Sequence, residues 1–410
     1  MSRFDRLSTG RFDELGASPN TRPNKPALFL VEGLNALSLS FYFLYIFFFA
    51  QQRFGFDNMD NLLLGGYGGF VYMVSSYLCG RFGGRIGRGN CLTVALMIMP
   101  VLMWVGAGIE SLAGHVAVFT LAVVCMGFVW APMQALVCQG EPPERVQRMV
   151  GIYNVVWSSL SAVGYFIGGA MFEARETSIF EVTAGVCFLQ LLIVLGIRGS
   201  LRSPEKSESI LEPVPDEETS HVPPKIARAF LAMAWIANPF AFVAVNVCTP
   251  TIPTIADRLE LTPTFAGIFC SVWMFSRAIG FVICWTWSGW HYRLRWLVIG
   301  YVVMVLAFAL ILTVPNLAVL IAVQVFFGLS LGLIYFSSLY YSMHVDTESQ
   351  GEHGGIHEAV IGAGNAVGPV IGAGALWMFP QHPNAAVWVV AVALVAGFVW
   401  MLRTWGKVKA

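Results

Sequence analysis

Hydrophobic residues in this chain gather into twelve long runs separated by short polar breaks, and these runs set the architecture. A helix needs ~20 consecutive apolar residues to cross a bilayer core. The first six runs are 28–50, 62–82, 91–109, 114–138, 149–172 and 179–198. The second six are 226–249, 264–287, 293–313, 316–343, 355–379 and 384–403. They predict an all-α membrane protein with twelve transmembrane helices in two pseudo-symmetric six-helix bundles, 27–198 and 226–404. The remaining stretches are a polar N-terminal tail (1–26), a C-terminal tail (405–410) and a linker (199–225). The linker carries Pro204, Pro213, Pro215, Pro223 and Pro224, a composition that reads as flexible.

Composition agrees. The chain is 57% hydrophobic and 12% charged, about half the charge of an ordinary soluble domain. A net charge of zero offers no basic face for nucleic acid. The tail 1–26 lacks the apolar run and cleavage site of a secretory signal, so the bundle itself does the targeting. Within it, Arg3-Phe4-Asp5-Arg6-Leu7 is echoed by Arg11-Phe12-Asp13-Glu14-Leu15. The eight cysteines lie in or beside apolar runs without CxxC spacing, so they read as small fillers rather than disulfides or metal ligands. No phosphate-binding GxxxxGK[ST] loop and no nucleophile–His–acid signature occurs. The expectation is a non-enzyme with no cofactor and no resident metal.

Charge placement sets the orientation. With the N-terminus inside, Arg53, Arg175 and Arg258 fall outside and Arg277 within a helix; the other twenty of the 24 Lys and Arg lie inside. Both termini are therefore expected in the cytoplasm. Short loops and the absence of an N-x-[ST] acceptor suit a bacterial inner membrane. The two halves also repeat. Residues 151–170 and 355–374 align at an offset of 204 without a gap, matching Gly151 with Gly355, Gly164 with Gly368 and Gly168 with Gly372. Two parallel six-helix repeats form a transporter plan.

Between helices 2 and 3 the chain reads Gly80-Arg81-Phe82-Gly83-Gly84-Arg85-Ile86-Gly87-Arg88, and helix 11 carries Gly364-x3-Gly368-Pro369-x2-Gly372. With the helix count, linker and repeat, these residues resemble the major facilitator superfamily over about 27–404. The loop is similar to the family's G-x-L-A-D-R-x-G-R-R pattern, with Gly84 at the acidic position. The resemblance implies a secondary active transporter working by alternating access around a midplane site. Helices 1, 4, 7 and 10 would form that site, with helices 2, 5, 8 and 11 beside them. The Gly/Pro pattern of helix 11 resembles that of antiporters, which keeps export of hydrophobic drugs or metabolites open. A membrane sensor or assembly partner built on the same fold is a further alternative.

Arg277 stands near the middle of helix 8. A charge there is costly and needs a wet cavity or a partner. It reads either as an anchor for an anionic or polar substrate or as a structural bond to carbonyls or a carboxylate. Asn35 and Asn238 occupy related positions in the two halves and are substrate-binding candidates, with Asn246, Gln134, Asn154, Tyr335 and Asn365. Glu32 and Glu358, near the cytoplasmic ends of helices 1 and 11, are candidates for carrying a coupling proton, although a carboxylate in a first helical turn is also favoured by the helix dipole. Arg81, Arg85 and Arg88 against Asp346, Glu348 and Glu352 form one expected cytoplasmic gate; Arg293 and Arg295 against Glu141 and Glu144 form a second. Gly80, Gly83, Gly84 and Gly87 are expected to share one tight turn. His353 and His357 share a helical face with no third metal ligand in view, and read as a titrating cluster at a helix start. Pro250 and Pro253 are expected to bend or break helix 7. Most aromatics of helix 1 are expected against lipid or neighbouring helices. The partners expected are a small-molecule substrate, the lipid bilayer and a coupling proton, with the chain a monomer.

Overall fold

The computed structural model describes residues 23–141, 143–201, 222–345 and 350–409; the side chains of 143, 144, 147, 343–345, 350–357, 408 and 409 lie outside the description. Among the described residues there are twelve α-helices: α1 (Lys25–Phe54), α2 (Asn58–Ile86), α3 (Arg88–Gly106), α4 (Leu112–Cys138), α5 (Pro143–Ala174), α6 (Ser178–Gly196), α7 (Pro224–Arg258), α8 (Pro263–Thr286), α9 (Leu294–Thr313), α10 (Leu317–Val345), α11 (Gln350–Met378) and α12 (Ala385–Lys409). A short 3-10 turn, Arg198–Leu201, follows α6. No strand occurs among the described residues. All twelve helices are long and apolar enough to cross a membrane.

Helices α1, α2, α5 and α7 outrun the apolar runs that announced them, because helix ends are set by caps rather than by lipid. Asn24 Oδ1 accepts from Ala27 N–H to start α1. Asp57 and Asp60 exchange side chain-to-backbone bonds in a capping box at the start of α2. Ser111 and Thr262 each accept a single backbone N–H, from Gly114 and Phe265, at the starts of α4 and α8. Two expectations are corrected here. Gly80, Gly83 and Gly84 do not share a turn: α2 continues through them, and the reversal into α3 is made by Gly87 alone, at φ 91°. Pro250 and Pro253 do not break α7, which runs unbroken through both and through Pro239. Neighbouring helices grip it on several sides, and membrane helices tolerate the lost N–H bonds under such packing.

Packing repeats from half to half. In the first half α1 lies on α5 and α6, α3 on α4 and α6, and α2 on α4. Adding six to every number gives the second half: α7 on α11 and α12, α9 on α10 and α12, and α8 on α10. Between the halves the main contacts are α2 with α11 and α5 with α8, which exchange under the same operation. Helix association in lipid relies on small residues that let backbones approach. A Cβ on Gly164 would stand 2.5 Å from the Leu37 carbonyl oxygen of α1, and one on Gly368 2.7 Å from that of Val243 in α7. The shared glycine register therefore has one packing role in both halves.

The protein is apolar outside and polar within. Trp104, Val392 and Trp377 are among its most exposed side chains, whereas Glu32, Asn35, Gln190, Asn238, Arg277, Gln324 and Glu358 are buried. Seven cysteines are buried, Cys138 partly so, and all are free thiols. The aromatics of α1 pack inward: Phe49 lies against His115 and Phe180, and Tyr45 stacks on Phe172.

Candidate functional site

Eight of the twelve helices surround a central cavity of about 200 Å³. Its wall comes from α1, α2, α4 and α5 of one half and α7, α8, α10 and α11 of the other, with no described residue of α3, α6, α9 or α12. The wall is built on helical stripes. On α5, Tyr153, Trp157, Ser161 and Tyr165 recur every fourth residue and so share one face. Val123, Met126, Trp130 and Gln134, at spacings of three and four, share a face of α4. At the end away from the termini the halves meet. Gln51 donates to Asp257 Oδ2 at 2.5 Å, joining α1 to α7. The Thr264 N–H donates to Glu173 Oε1 at 2.7 Å, joining α8 to α5. Gly65 there faces the Pro250 ring, and Gly169 faces the Pro263 carbonyl so closely that a Cβ would stand 2.4 Å from its oxygen.

Among the described lining residues Arg277 is the one cation and Glu358 the one acid. Arg277 is 3% exposed. Its guanidinium carbon lies 4.6 Å from the ring centre of Trp157, 5.1 Å from Tyr335, and 5.5 Å from both Phe242 and Phe281. Four rings, from α5, α7, α8 and α10, thus enclose the charge. Its Nε has no hydrogen-bond partner, and no carboxylate pairs with it among the described residues. The expected alternative of a structural bond to carbonyls or a neighbouring acid is therefore not what the structure shows.

Glu358 is placed differently. Its Oε2 accepts from the Tyr72 hydroxyl at 2.6 Å and its Oε1 from Gln134 Nε2 at 2.9 Å, so an α11 side chain is tied to α2 and α4 of the other half. Glu32 lies behind the wall, where Oε1 accepts from Trp130 Nε1 at 3.2 Å and Oε2 has no partner. The Trp130 and Tyr72 rings meet edge to face at 6.0 Å, so the two carboxyl groups are linked through two aromatic side chains. Neither acid sits in a first helical turn: α1 starts at Lys25 and α11 at Gln350. The dipole reason for their placement thus falls away, since that effect fades beyond the first turn.

Of the other candidates, Asn246, Asn365, Gln134 and Tyr335 line the cavity. Asn246 Nδ2 donates to Asn365 Oδ1 at 2.6 Å, fixing α7 to α11 at the wall. Asn35 and Asn238 do not line it. Each lies one turn short of the last wall residue of its helix, Leu39 and Phe242, on the side of the termini. Asn154 is buried beside the Tyr153 stripe with neither amide atom bonded. Arg81 and Arg85 are exposed over Phe82, at 6.0 and 5.9 Å from its ring centre, and Arg88 opens α3. Their expected partners lie outside the described residues: Asp346 and Glu348 entirely, Glu352 by its side chain, as do the side chains of His353 and His357. In the second expected gate Glu141 pairs instead with Lys25 of its own half, and Arg295 lies over Trp296. Reasoning from the sequence missed Trp157, Phe242 and Phe281 around Arg277, and Tyr72 and Trp130 around the acids. The four-residue stripe on α5 was the available signal for Trp157.

Residues 14–165 match the family model described as Major Facilitator Superfamily. No curated protein sequence matches the chain. Solved structures share its fold end to end at low identity. The human organic anion transporter MFSD10 (TETRAN) aligns with TM-score 0.64 and 15% identity over 94% of this chain and 100% of that one. A bacterial homolog of the human lysosomal transporter Spinster, inward-facing and occupied, aligns at 0.64 and 13% over 94% and 95%. The nucleoside transporter NupG aligns at 0.65 and 12% over 93% and 99%. Residues 14–165 thus carry the pattern of the Major Facilitator Superfamily model, and the chain shares the twelve-helix fold of these transporters.

Proposed function

We propose that this integral multi-pass membrane protein is a secondary active transporter that carries a small organic solute by alternating access. One observation carries the reading: the central cavity is walled by equivalent helices of both halves, α1, α2, α4, α5 and α7, α8, α10, α11. A site shared in this way opens to one face or the other as the halves rock about it. The joints for such a motion are α2–α11 and α5–α8. Their closest approaches use glycine: Gly69 against the Asn365 backbone, Gly362 against Met73, and Gly169 against Pro263.

Solute enters between the halves and takes contacts from the aromatic wall, from Arg277 and from the Asn246–Asn365 pair. Glu358 supplies the coupling. As a carboxylate it accepts from both Tyr72 and Gln134; as an acid it carries an O–H that needs its own acceptor, and the bridge between halves changes. Binding or releasing a proton there is thereby linked to the contact that closes α2 and α4 on α11, with Glu32 as the neighbouring acid. The termini sit on the cytoplasmic side of a bacterial inner membrane, following the inside excess of Lys and Arg.

The test is flux. Purified protein in liposomes preloaded with candidate solute is expected to catalyse counterflow of labelled solute, and an imposed proton gradient is expected to drive net uptake. A sensor or assembly partner with this fold binds solute and moves none.

A further inference from the structure

Donors and acceptors in the cavity are unevenly satisfied. Both oxygens of Glu358 are occupied, one by the Tyr72 hydroxyl and one by Gln134. Arg277 carries five N–H donors, is buried in the same wall, and has no acceptor among the described residues; its Nε is buried and unbonded. The four rings around it do not resolve this. Ring faces attract the charge, yet they offer no lone pairs to the in-plane N–H groups. A buried cation without an acceptor is unfavourable unless something brings one. Because the acid of the site is already satisfied, what is lacking is negative charge, and a guanidinium matches a planar carboxylate through two parallel bonds.

We infer that the transported solute is an organic anion with a flat aromatic body, its carboxylate held by Arg277 and its rings stacked along the aromatic wall. This rests on the transporter reading above. The rings give the anchor its selectivity. Trp157 and Tyr335 lie nearly parallel, at 23°, with ring centres 6.1 Å apart, and both flank Arg277. Flat apolar surface beside the charge is therefore met by parallel faces. A strongly hydrated inorganic anion gains nothing from those faces and loses its water. A flat cation meets the fixed Arg277 charge without a free carboxylate to offset it.

The test uses the full chain in detergent and calorimetric titration with four probes on two fused six-membered rings: the flat naphthoate, naphthylmethanol and naphthylmethylammonium, and the puckered, saturated decalin carboxylate. Naphthoate is expected to bind about tenfold to a hundredfold more tightly than the alcohol or the ammonium, about 1.4–2.8 kcal/mol. It is also expected to bind more tightly than the saturated acid. Arg277→Gln is expected to remove the advantage of naphthoate over the alcohol. Equal binding of the alcohol or ammonium, equal binding of the saturated acid, or no naphthoate binding overturns the assignment. The wild-type series decides it even where Arg277→Gln does not fold. Counterflow of labelled naphthoate in liposomes separates the two claims. Anion-selective binding without flux keeps the anion site and overturns the transporter reading; flux without preference for the anion keeps transport and overturns the substrate class.

Discussion

Gly69→Ala probes the joint between the halves at its tightest point. A Cβ at Gly69 of α2 would stand 2.3 Å from the Asn365 carbonyl carbon, 2.4 Å from the Ala366 nitrogen and 2.6 Å from the Asn365 oxygen of α11. All three are backbone atoms in a helix, so no side chain can swing aside. Carbon atoms rest at ~3.5–4.0 Å, so α2 and α11 must part by about 1 Å or more at this level. Overpacking of this kind costs about 1–3 kcal/mol. Charged to one of two conformers, it lowers that conformer's share relative to the other by about 5–150-fold. The assay is a pair of spin labels at Leu63 of α2 and Trp377 of α11, both exposed at the end away from the termini, in a cysteine-depleted chain. Gly69→Ala is expected to move the distance distribution to longer values and to slow counterflow. Gly374→Ala on α11, where a Cβ meets nothing within 4 Å, is expected to change neither. An unchanged distribution and unchanged flux in Gly69→Ala would refute the view that these backbones close on one another.

Three further outcomes follow from individual bonds. Glu358→Gln is expected to abolish the response of uptake to an imposed proton gradient while counterflow at fixed pH persists; a retained gradient response places coupling elsewhere. Asn246→Ala strands the Asn365 oxygen at the wall, and the cost of a buried unsatisfied group, ~1–3 kcal/mol, is expected as a lower melting midpoint in calorimetry. Asp57→Ala removes the capping box of α2 and is expected to cost about 1 kcal/mol in denaturant titration with little effect on solute binding.

The sequence made the helices legible because a bilayer imposes one length on every span, and twelve runs met it. It did not show where helices end, since caps such as Asn24 and Asp57 and the single turn residue Gly87 decide that locally. The repeat was readable because Gly164 and Gly368 do the same packing job. Arg277 was visible as a lone charge in an apolar run. Its cage was not, because Trp157, Phe242, Phe281 and Tyr335 come from four helices whose mutual rotation local periodicity does not encode. Asn35 and Asn238 show the same limit in depth. Both are on cavity-facing stripes of α1 and α7, four residues before Leu39 and Phe242, but the cavity ends before reaching them. The prolines of α7 do not break it, because the neighbours that hold the helix offset proline's local cost.

Alternating access itself is tested most directly by a single cysteine replacing Asn246 in the cavity wall of a chain cleared of its eight native cysteines, labelled by a membrane-impermeant thiol reagent added to one face of the membrane at a time. The site is expected to be modified from either face, each rate falling when solute occupies the cavity. Modification from one face alone, with or without solute and with or without a proton gradient, would contradict the account.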